Sequence, residues 1–319
     1  MRTGSIILTV ILAASGVAVA ASAPPALMQD QQPTFRAAVN RVAVAVTVRS
    51  RKGGKLVSSL KAEDFQLFDS GQARPITDFR TEVTPVSLGL LVDFSGSMDV
   101  ASKRRAARDN AFHLLSWLRP GIDQAGLYVF DKTLREVQRL APAPGDILAE
   151  LDSINRPFGA TSLFDAVAET GRVLADQGGA RRAVVALTDG SDNASRLTST
   201  EVSTIASGID VPVYILIVVS PLDRVGQTTI NEEDLQKQMT GPLADLAHWT
   251  GGEIFAGLGP ASSSVAAQQI VGELRQQYLI AFEADSRPGW HPIELRTRDK
   301  DLVVRTRSGY VVRNQPAVQ

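Results

Sequence analysis

The run Val86-Ser87-Leu88-Gly89-Leu90-Leu91-Val92 shows almost no polar alternation and stops abruptly at Asp93-Phe94-Ser95-Gly96-Ser97. A strand that is apolar on both faces has to be covered on both faces, which is the condition of a parallel sheet between helices rather than of a sheet with one wet face. A second run, Ala183 to Leu187, ends in the same manner at Thr188-Asp189-Gly190-Ser191. Helical and strand patterns alternate around these runs. Ala101 to Leu118 reads as an amphipathic helix stopped by Pro120-Gly121, Ala125 to Phe130 and Leu134 to Leu140 as a strand pair, and Ser162 to Asp176 as a helix. Further on come a helix around Glu201 to Ser207, strands at Val211 to Val219 and Glu253 to Ala256, and helices at Leu243 to His248 and Val265 to Gln277. This order predicts an α/β fold with a doubly wound, mostly parallel sheet, and such sheets bind ligands at the carboxyl ends of their strands. Asp93 and Asp189 both fall on that edge.

The residues at the strand ends suit a hard divalent cation. Mg²⁺ demands an octahedron of oxygens at about 2.0–2.1 Å and gives up its water reluctantly. Ser95 and Ser97 lie two apart, so both hydroxyls can face one ion from a tight turn, with Gly96 expected to relax the backbone there. Asp93 and Asp189 bring charge, directly or through water. Thr161, in Gly159-Ala160-Thr161-Ser162-Leu163-Phe164-Asp165, would add a third neutral hydroxyl. A cation held largely by hydroxyls stays poorly neutralised and keeps its attraction for one more anionic oxygen. A D-x-S-x-S pentapeptide alone is a weak signal, because Ser and Asp are common turn residues. The weight lies in five oxygen-bearing positions, each at the end of an apolar run or the start of a helical pattern.

Together these residues resemble the metal-ion-dependent adhesion site of von Willebrand factor A (vWA) domains. The resemblance implies a Rossmann-like core over residues 85–276 and Mg²⁺ or Mn²⁺ as cofactor. It implies Asp93, Ser95, Ser97, Thr161 and Asp189 as metal-site residues, and a protein partner whose Asp or Glu completes the coordination. The loops Asp189 to Ser195 and Ser220 to Glu233 would form the rim that selects it. Ala160 stands where the pattern often has glycine, which leaves the ligand itself intact and touches only the loop geometry. Asp165 has two readings: it orients the metal-site loop, or it is an acid in a first helical turn, favourable on electrostatic grounds alone. Asp192 and Asn193 read as loop-forming residues.

Both ends of the chain return to period two. Val42, Val44, Val46 and Val48 share one strand face, followed by a turn at Arg51 to Lys55, a strand at Phe65 to Phe68, a turn at Asp69-Ser70-Gly71 and a strand at Ile76 to Phe79. Tyr278 to Phe282, Ile293 to Arg298 and Leu302 to Arg307 repeat the pattern near the carboxyl terminus, with Val311-Val312 as an extension. Each group is small for an independent core. The expectation is therefore that segment 35–84 and segment 277–313 pack into one β-sandwich-like unit with the vWA core inserted between them. Ala62-Glu63-Asp64-Phe65 with Asp69-Ser70-Gly71, and Arg307-Ser308-Gly309-Tyr310 after the core, look like the bacterial VWFA-related family frequent in acidobacteria. That likeness covers nearly the whole mature chain and implies a secreted or periplasmic protein.

The amino terminus reads as an export signal over residues 1–20, with Arg2 as the positive region, Ile6 to Ala14 as the apolar region and Ala18-Val19-Ala20 as a cleavage site. An uncleaved anchor is the competing reading, since Ser5 to Ala23 carries no charge and approaches the roughly 20 residues that span a bilayer. After cleavage no stable membrane span is expected. A Pro- and Gln-rich spacer covers 21–34, and residues 314–319 form a tail.

Composition removes several function classes. The chain has no cysteine, which excludes disulfides, thiolate metal sites, thiol nucleophiles and a lipidated leader. Its net charge of −1, with dispersed Lys and Arg, offers no field for nucleic acid. The longest basic cluster, Lys103-Arg104-Arg105, reads as a solvated helix face. His113, His248 and His291 lack metal-ligand spacing and read as structural. Ser95 lacks a G-x-S-x-G elbow. A haloacid-dehalogenase-like phosphatase needs a second Asp two residues after the first, and Ser95 occupies that position. No catalytic residue is expected. The reading from sequence is a non-enzymatic, exported protein that docks a partner through a metal site. A metal-stabilised periplasmic scaffold and a phosphatase-like metalloenzyme are the alternatives.

Overall fold

The computed structural model describes residues 41–100, 102–142, 146–154, 159–177, 181–208, 210–219 and 232–312. The export segment, the spacer, the start of the amino-terminal module, most of the expected rim loop Ser220 to Glu233 and the tail lie outside the described residues.

The amino-terminal alternation forms β1 (Arg41–Ser50), β2 (Phe65–Asp69), β3 (Gln72–Arg74) and β4 (Asp78–Arg80). The α/β region follows as β5 (Val86–Asp93), α1 (Lys103–Ser116), β6 (Gln124–Phe130), β7 (Leu134–Ala141), α2 (Ile147–Ser153), α3 (Leu163–Gln177) and β8 (Arg181–Thr188). It continues through α4 (Ser199–Gly208), β9 (Val213–Val218), α5 (Glu232–Thr240), α6 (Pro242–Trp249), β10 (Ile254–Gly257) and α7 (Pro260–Gln276). The chain returns to strands in β11 (Tyr278–Glu283), β12 (Gly289–Thr297), β13 (Leu302–Thr306) and β14 (Gly309–Val312).

The central sheet has the order β10-β9-β8-β5-β6-β7, and every neighbouring pair is parallel except β6 with β7. All eight residues of β5 are buried, as its unbroken apolar run requires. Its side chains divide between two cores. Leu88, Leu90 and Val92 meet Ala107, Ala111 and Leu114 of α1 and Ile270, Val271 and Leu274 of α7. On the other face Leu91 joins Val167 and Leu174 of α3, Val202 of α4 and Leu246 of α6. Each such aliphatic side chain contributes about 1.5–3 kcal/mol by leaving water, so the sheet is held from both sides and its carboxyl edge is a rigid platform.

The terminal strands form two four-stranded sheets, β13-β1-β11-β4 and β14-β12-β2-β3. The first pairs β1 with β11 in antiparallel register, Arg41 opposite Glu283 and Val46 opposite Tyr278, and the second pairs β2 with β12, Phe65 opposite Thr297. Val44, Val46, Val48, Tyr278, Ile280 and Phe282 from one sheet and Phe65, Leu67, Ile293, Leu295 and Tyr310 from the other share one apolar core. Strands from the two ends of the chain, each too few to close a core alone, thus close one together. Glu273 of α7, fully buried, joins this sandwich to the α/β core: it accepts hydrogen bonds from Arg49 of β1 (2.9 Å from Nε) and from the Tyr214 hydroxyl of β9 (2.9 Å), and it pairs with Arg305 of β13.

Candidate functional site

Three loops meet at the carboxyl edge of the central sheet, and they are tied in a closed triangle. The loop after β5 joins the loop before α3 through the Gly96 N–H, which donates to the Gly159 carbonyl at 3.1 Å. The loop before α3 joins the loop after β8 through Thr161: its N–H donates to Asn193 Oδ1 at 2.8 Å, and its carbonyl accepts from the N–H groups of Asn193 and Ala194 at 3.0 Å each. The third side is closed by the Thr188 hydroxyl, which donates to Asp93 Oδ2 at 2.7 Å.

This framework sets the three loops that carry the expected residues side by side. Asp93, the last residue of β5, is 1 % exposed, and its Oδ1 accepts from the Ser95 N–H at 2.8 Å. The hydroxyls of Ser95 and Ser97 stand 3.0 Å apart. Thr161 is buried, with its backbone clamped as described, and Asp189 is buried with its Oδ1 accepting from the Ser191 N–H at 3.2 Å. The glycine freedom expected at Gly96 is not used. Gly96 opens a short 3₁₀ turn without left-handed φ, and the positive φ values of the site fall on Gly159 (107°) and Gly190 (86°). At Gly190 a side chain would also collide with Gln238 of α5, whose amide donates to the Asp189 carbonyl at 2.9 Å.

The neighbouring acids settle into supporting positions. Asp165 accepts from the N–H groups of Arg196 (3.1 Å) and Leu197 (2.9 Å), so it clasps the loop after β8 in addition to lying in the first turn of α3. Asp192 accepts from the Phe164 N–H at 3.0 Å and from the Ser195 hydroxyl at 2.6 Å, and Asn193 holds Thr161, so both shape the loops as expected.

The basic cluster departs from the solvated face expected of it. Of the three residues only Arg105 is exposed. Arg104 donates to the Ile154 carbonyl and lies over the Phe94 ring, 5.3 Å from its centroid. Lys103 reaches into the site, its Nζ 2.9 Å from Asp189 Oδ2. The sequence did carry a signal for this: three cations in the first turn of a helix oppose the helix dipole, and such a cluster needs anionic or carbonyl partners elsewhere.

Electrostatics separate the two aspartates. Burial, only partly offset by hydrogen bonds from Thr188 and Ser95, pushes the Asp93 carboxyl up to about 6. Burial acts on Asp189 too, but the bond and charge of Lys103, with help from Ser97 and the Ser191 N–H, hold it below the usual carboxylate range. Asp93 is thus a desolvated carboxylate with hydroxyl and amide partners and, among the described residues, no cation of its own, a state that favours either a proton or a bound cation. Among the described residues no three His, Cys, Asp or Glu side chains cluster as metal ligands. A cation here would rest on two carboxylates and the hydroxyls of Ser95, Ser97 and Thr161, an all-oxygen set suited to Mg²⁺ or Mn²⁺ rather than to softer metals.

Residues 88–191 match the family model for the von Willebrand factor type A domain, and the chain carries a domain of that class. The match runs from β5 to the loop after β8 and so contains all five positions. Among curated proteins nothing matches. Similar solved structures include an aerotolerance-related membrane protein from Bacteroides fragilis, at 21 % identity over 59 % of this chain and 98 % of that one, with a TM-score of 0.45. A von Willebrand factor type A protein from Catenulispora acidiphila is similar at 13 % identity, covering 87 % of this chain and 74 % of that chain, TM-score 0.45. The manganese-loaded TRAP protein of Plasmodium vivax is similar at 15 % identity over 77 % and 98 %, TM-score 0.43. Among the described residues no helix is long and apolar enough to cross a membrane.

Proposed function

We propose that this chain is an exported, non-enzymatic docking protein whose vWA domain binds a protein partner through a Mg²⁺- or Mn²⁺-dependent adhesion site. The observation that carries the reading is Asp93: a carboxylate buried at the carboxyl end of the central strand, held by the Thr188 hydroxyl and the Ser95 N–H and, among the described residues, lacking a cation of its own. Asp93, Ser95, Ser97, Thr161 and Asp189 would hold the ion. When bound, the ion supplies an electrophilic point that draws a carboxylate oxygen from outside. The chain's own residues do the positioning. Thr188 and the Ser95 N–H fix the Asp93 carboxylate, Asn193 fixes Thr161, and Asp165 with Asp192 holds the surrounding loop. The three loops are bonded directly to one another, which supports docking over the scaffold alternative. Export rests on the Arg2, apolar and Ala18-Val19-Ala20 pattern at the amino terminus.

Capture of partners from a bacterial envelope extract, with Mg²⁺ and then with EDTA, tests the reading. A bound protein released by chelator, and blocked by neutralising one of its Asp or Glu residues, is the expected result. Capture indifferent to EDTA would refute metal-dependent docking.

A further inference from the structure

The first turn of α1 holds Lys103, Arg104 and Arg105 and no acid, which places three positive charges at the positive end of a helix dipole. Arg104 is compensated by the Ile154 carbonyl and the Phe94 ring, and Arg105 by solvent. Lys103 is compensated inside the site. Its side chain is 17 % exposed and that of Asp189 6 %, and their 2.9 Å contact joins residues 86 positions apart in sequence. The chain enters α1 through Ser102 in the left-handed region, at φ 63°.

The consequence lies in the charge balance. Asp93 and Asp189 bring two negative charges and Lys103 one positive, so the metal-free site is one charge short of neutral. A divalent cation then turns that balance to one positive charge in excess. Without the lysine the loaded site would be neutral and would have less pull on an incoming anion.

We propose that Lys103 is an internal cation of the docking site, holding Asp189 when no metal is bound, lowering affinity for the divalent ion, and leaving the loaded site with a positive charge that a partner carboxylate neutralises. The inference rests on the metal-site reading above and deepens it: affinity for metal is given up in exchange for affinity for an acidic ligand. At these separations, and with the effective dielectric of a half-buried site, one added positive charge lowers divalent affinity by at least about tenfold. A residue that merely supported the loops would, on removal, weaken metal and carboxylate binding together. Lys103 should move them in opposite directions.

The test uses the full chain, with Mn²⁺ as metal probe and acetate as carboxylate probe. Mn²⁺ affinity is measured by calorimetry, and acetate binding to the loaded protein by electron paramagnetic resonance and water-proton relaxation. Lys103→Met should bind Mn²⁺ about tenfold more tightly and require several-fold more acetate for the same spectral change, while Lys103→Arg, which keeps the charge, stays near the wild type. Unchanged or weaker Mn²⁺ affinity in a folded Lys103→Met chain, or an unchanged acetate response, would overturn the inference while leaving the docking site standing. Absence of Mn²⁺ binding in both wild type and Lys103→Met would instead remove the site itself and the inference with it.

Discussion

The two ends of strand β5 each meet a buried aspartate, and the two are treated in opposite ways. At the amino end Asp123 is fully buried and accepts from the Val86 N–H (3.0 Å), the Arg119 N–H (2.8 Å), the Arg119 guanidinium (2.9 Å) and the Arg275 guanidinium (2.6 Å). Burial alone would raise its pKa, but the hydrogen bonds from Arg119, the backbone N–H groups and Arg275 outweigh burial and hold the carboxyl far below the usual range. At the carboxyl end Asp93 is as deeply buried, and among the described residues no arginine or lysine pairs with it. A carboxylate that the fold fully compensates is part of the scaffold. One that it leaves uncompensated costs stability and is a candidate position for a bound cation.

Substitution should divide the two ends most sharply. Asp123→Ala strands Arg119 and Arg275 beside a buried strand end, and a loss of about 3–5 kcal/mol in chemical denaturation is expected. Asp93→Asn should lose Mn²⁺ binding by at least about a hundredfold, with the far-ultraviolet circular dichroism and the melting cooperativity intact. Similar destabilisation by both substitutions would erase the distinction.

The pH dependence should have opposite signs at the two ends. With a folded pKa of about 6 against roughly 3.9 when unfolded, native Asp93 holds more protons than the unfolded chain between those values. Metal-free stability from this group therefore falls as pH rises through that window. Asp123, with its depressed pKa, stabilises above the unfolded value and loses that contribution as pH falls. The stability advantage of Asp93→Asn over the metal-free wild type should grow from near zero at about pH 4 to about 2–3 kcal/mol above pH 6. An advantage that stays constant across the window in denaturation series would contradict it.

Smaller effects are expected around the rim. Thr161→Ala removes a buried hydroxyl while the Thr161 backbone bonds to Asn193 and Ala194 remain, so partner binding should weaken more than Mn²⁺ binding in parallel titrations. Equal losses would mean that this hydroxyl serves the metal alone. Asp165→Ala should cost about 1 kcal/mol and speed amide exchange at Arg196 and Leu197, whose N–H groups it accepts. Unaltered exchange there would show that Asp165 acts only as a favourable charge in the first turn of α3.

Much of this was legible in the sequence for a simple reason. The buried strands are unbroken apolar runs, and the residues that follow them are polar, so both the sheet and its carboxyl edge are written locally. β5 ends at Asp93 and β8 at Thr188, one residue before Asp189, as those runs imply. Local patterning failed where an element is short or polar. α2 buries only Ile147 and Leu151, a single i,i+4 pair, and α5 is a largely polar stretch, so neither was anticipated. β12 starts at Gly289, before the expected Ile293, because Trp290 and His291 pair with Val311 and Tyr310 of β14, a partnership that no local period reveals. Lys103 escapes a local reading for the same reason. A flexible side chain at a helix start looks solvated until the fold brings Asp189 beside it.

The most direct test of the central claim is a count of Mn²⁺ ions bound per chain, measured by electron paramagnetic resonance on the wild type and on Asp93→Asn. One Mn²⁺ per wild-type chain, displaced by Mg²⁺ and absent from a folded Asp93→Asn chain, is the expected result. Retention of that ion by Asp93→Asn, or no saturable binding by the wild type, would contradict the assignment of a metal-dependent docking site to the carboxyl edge of the sheet.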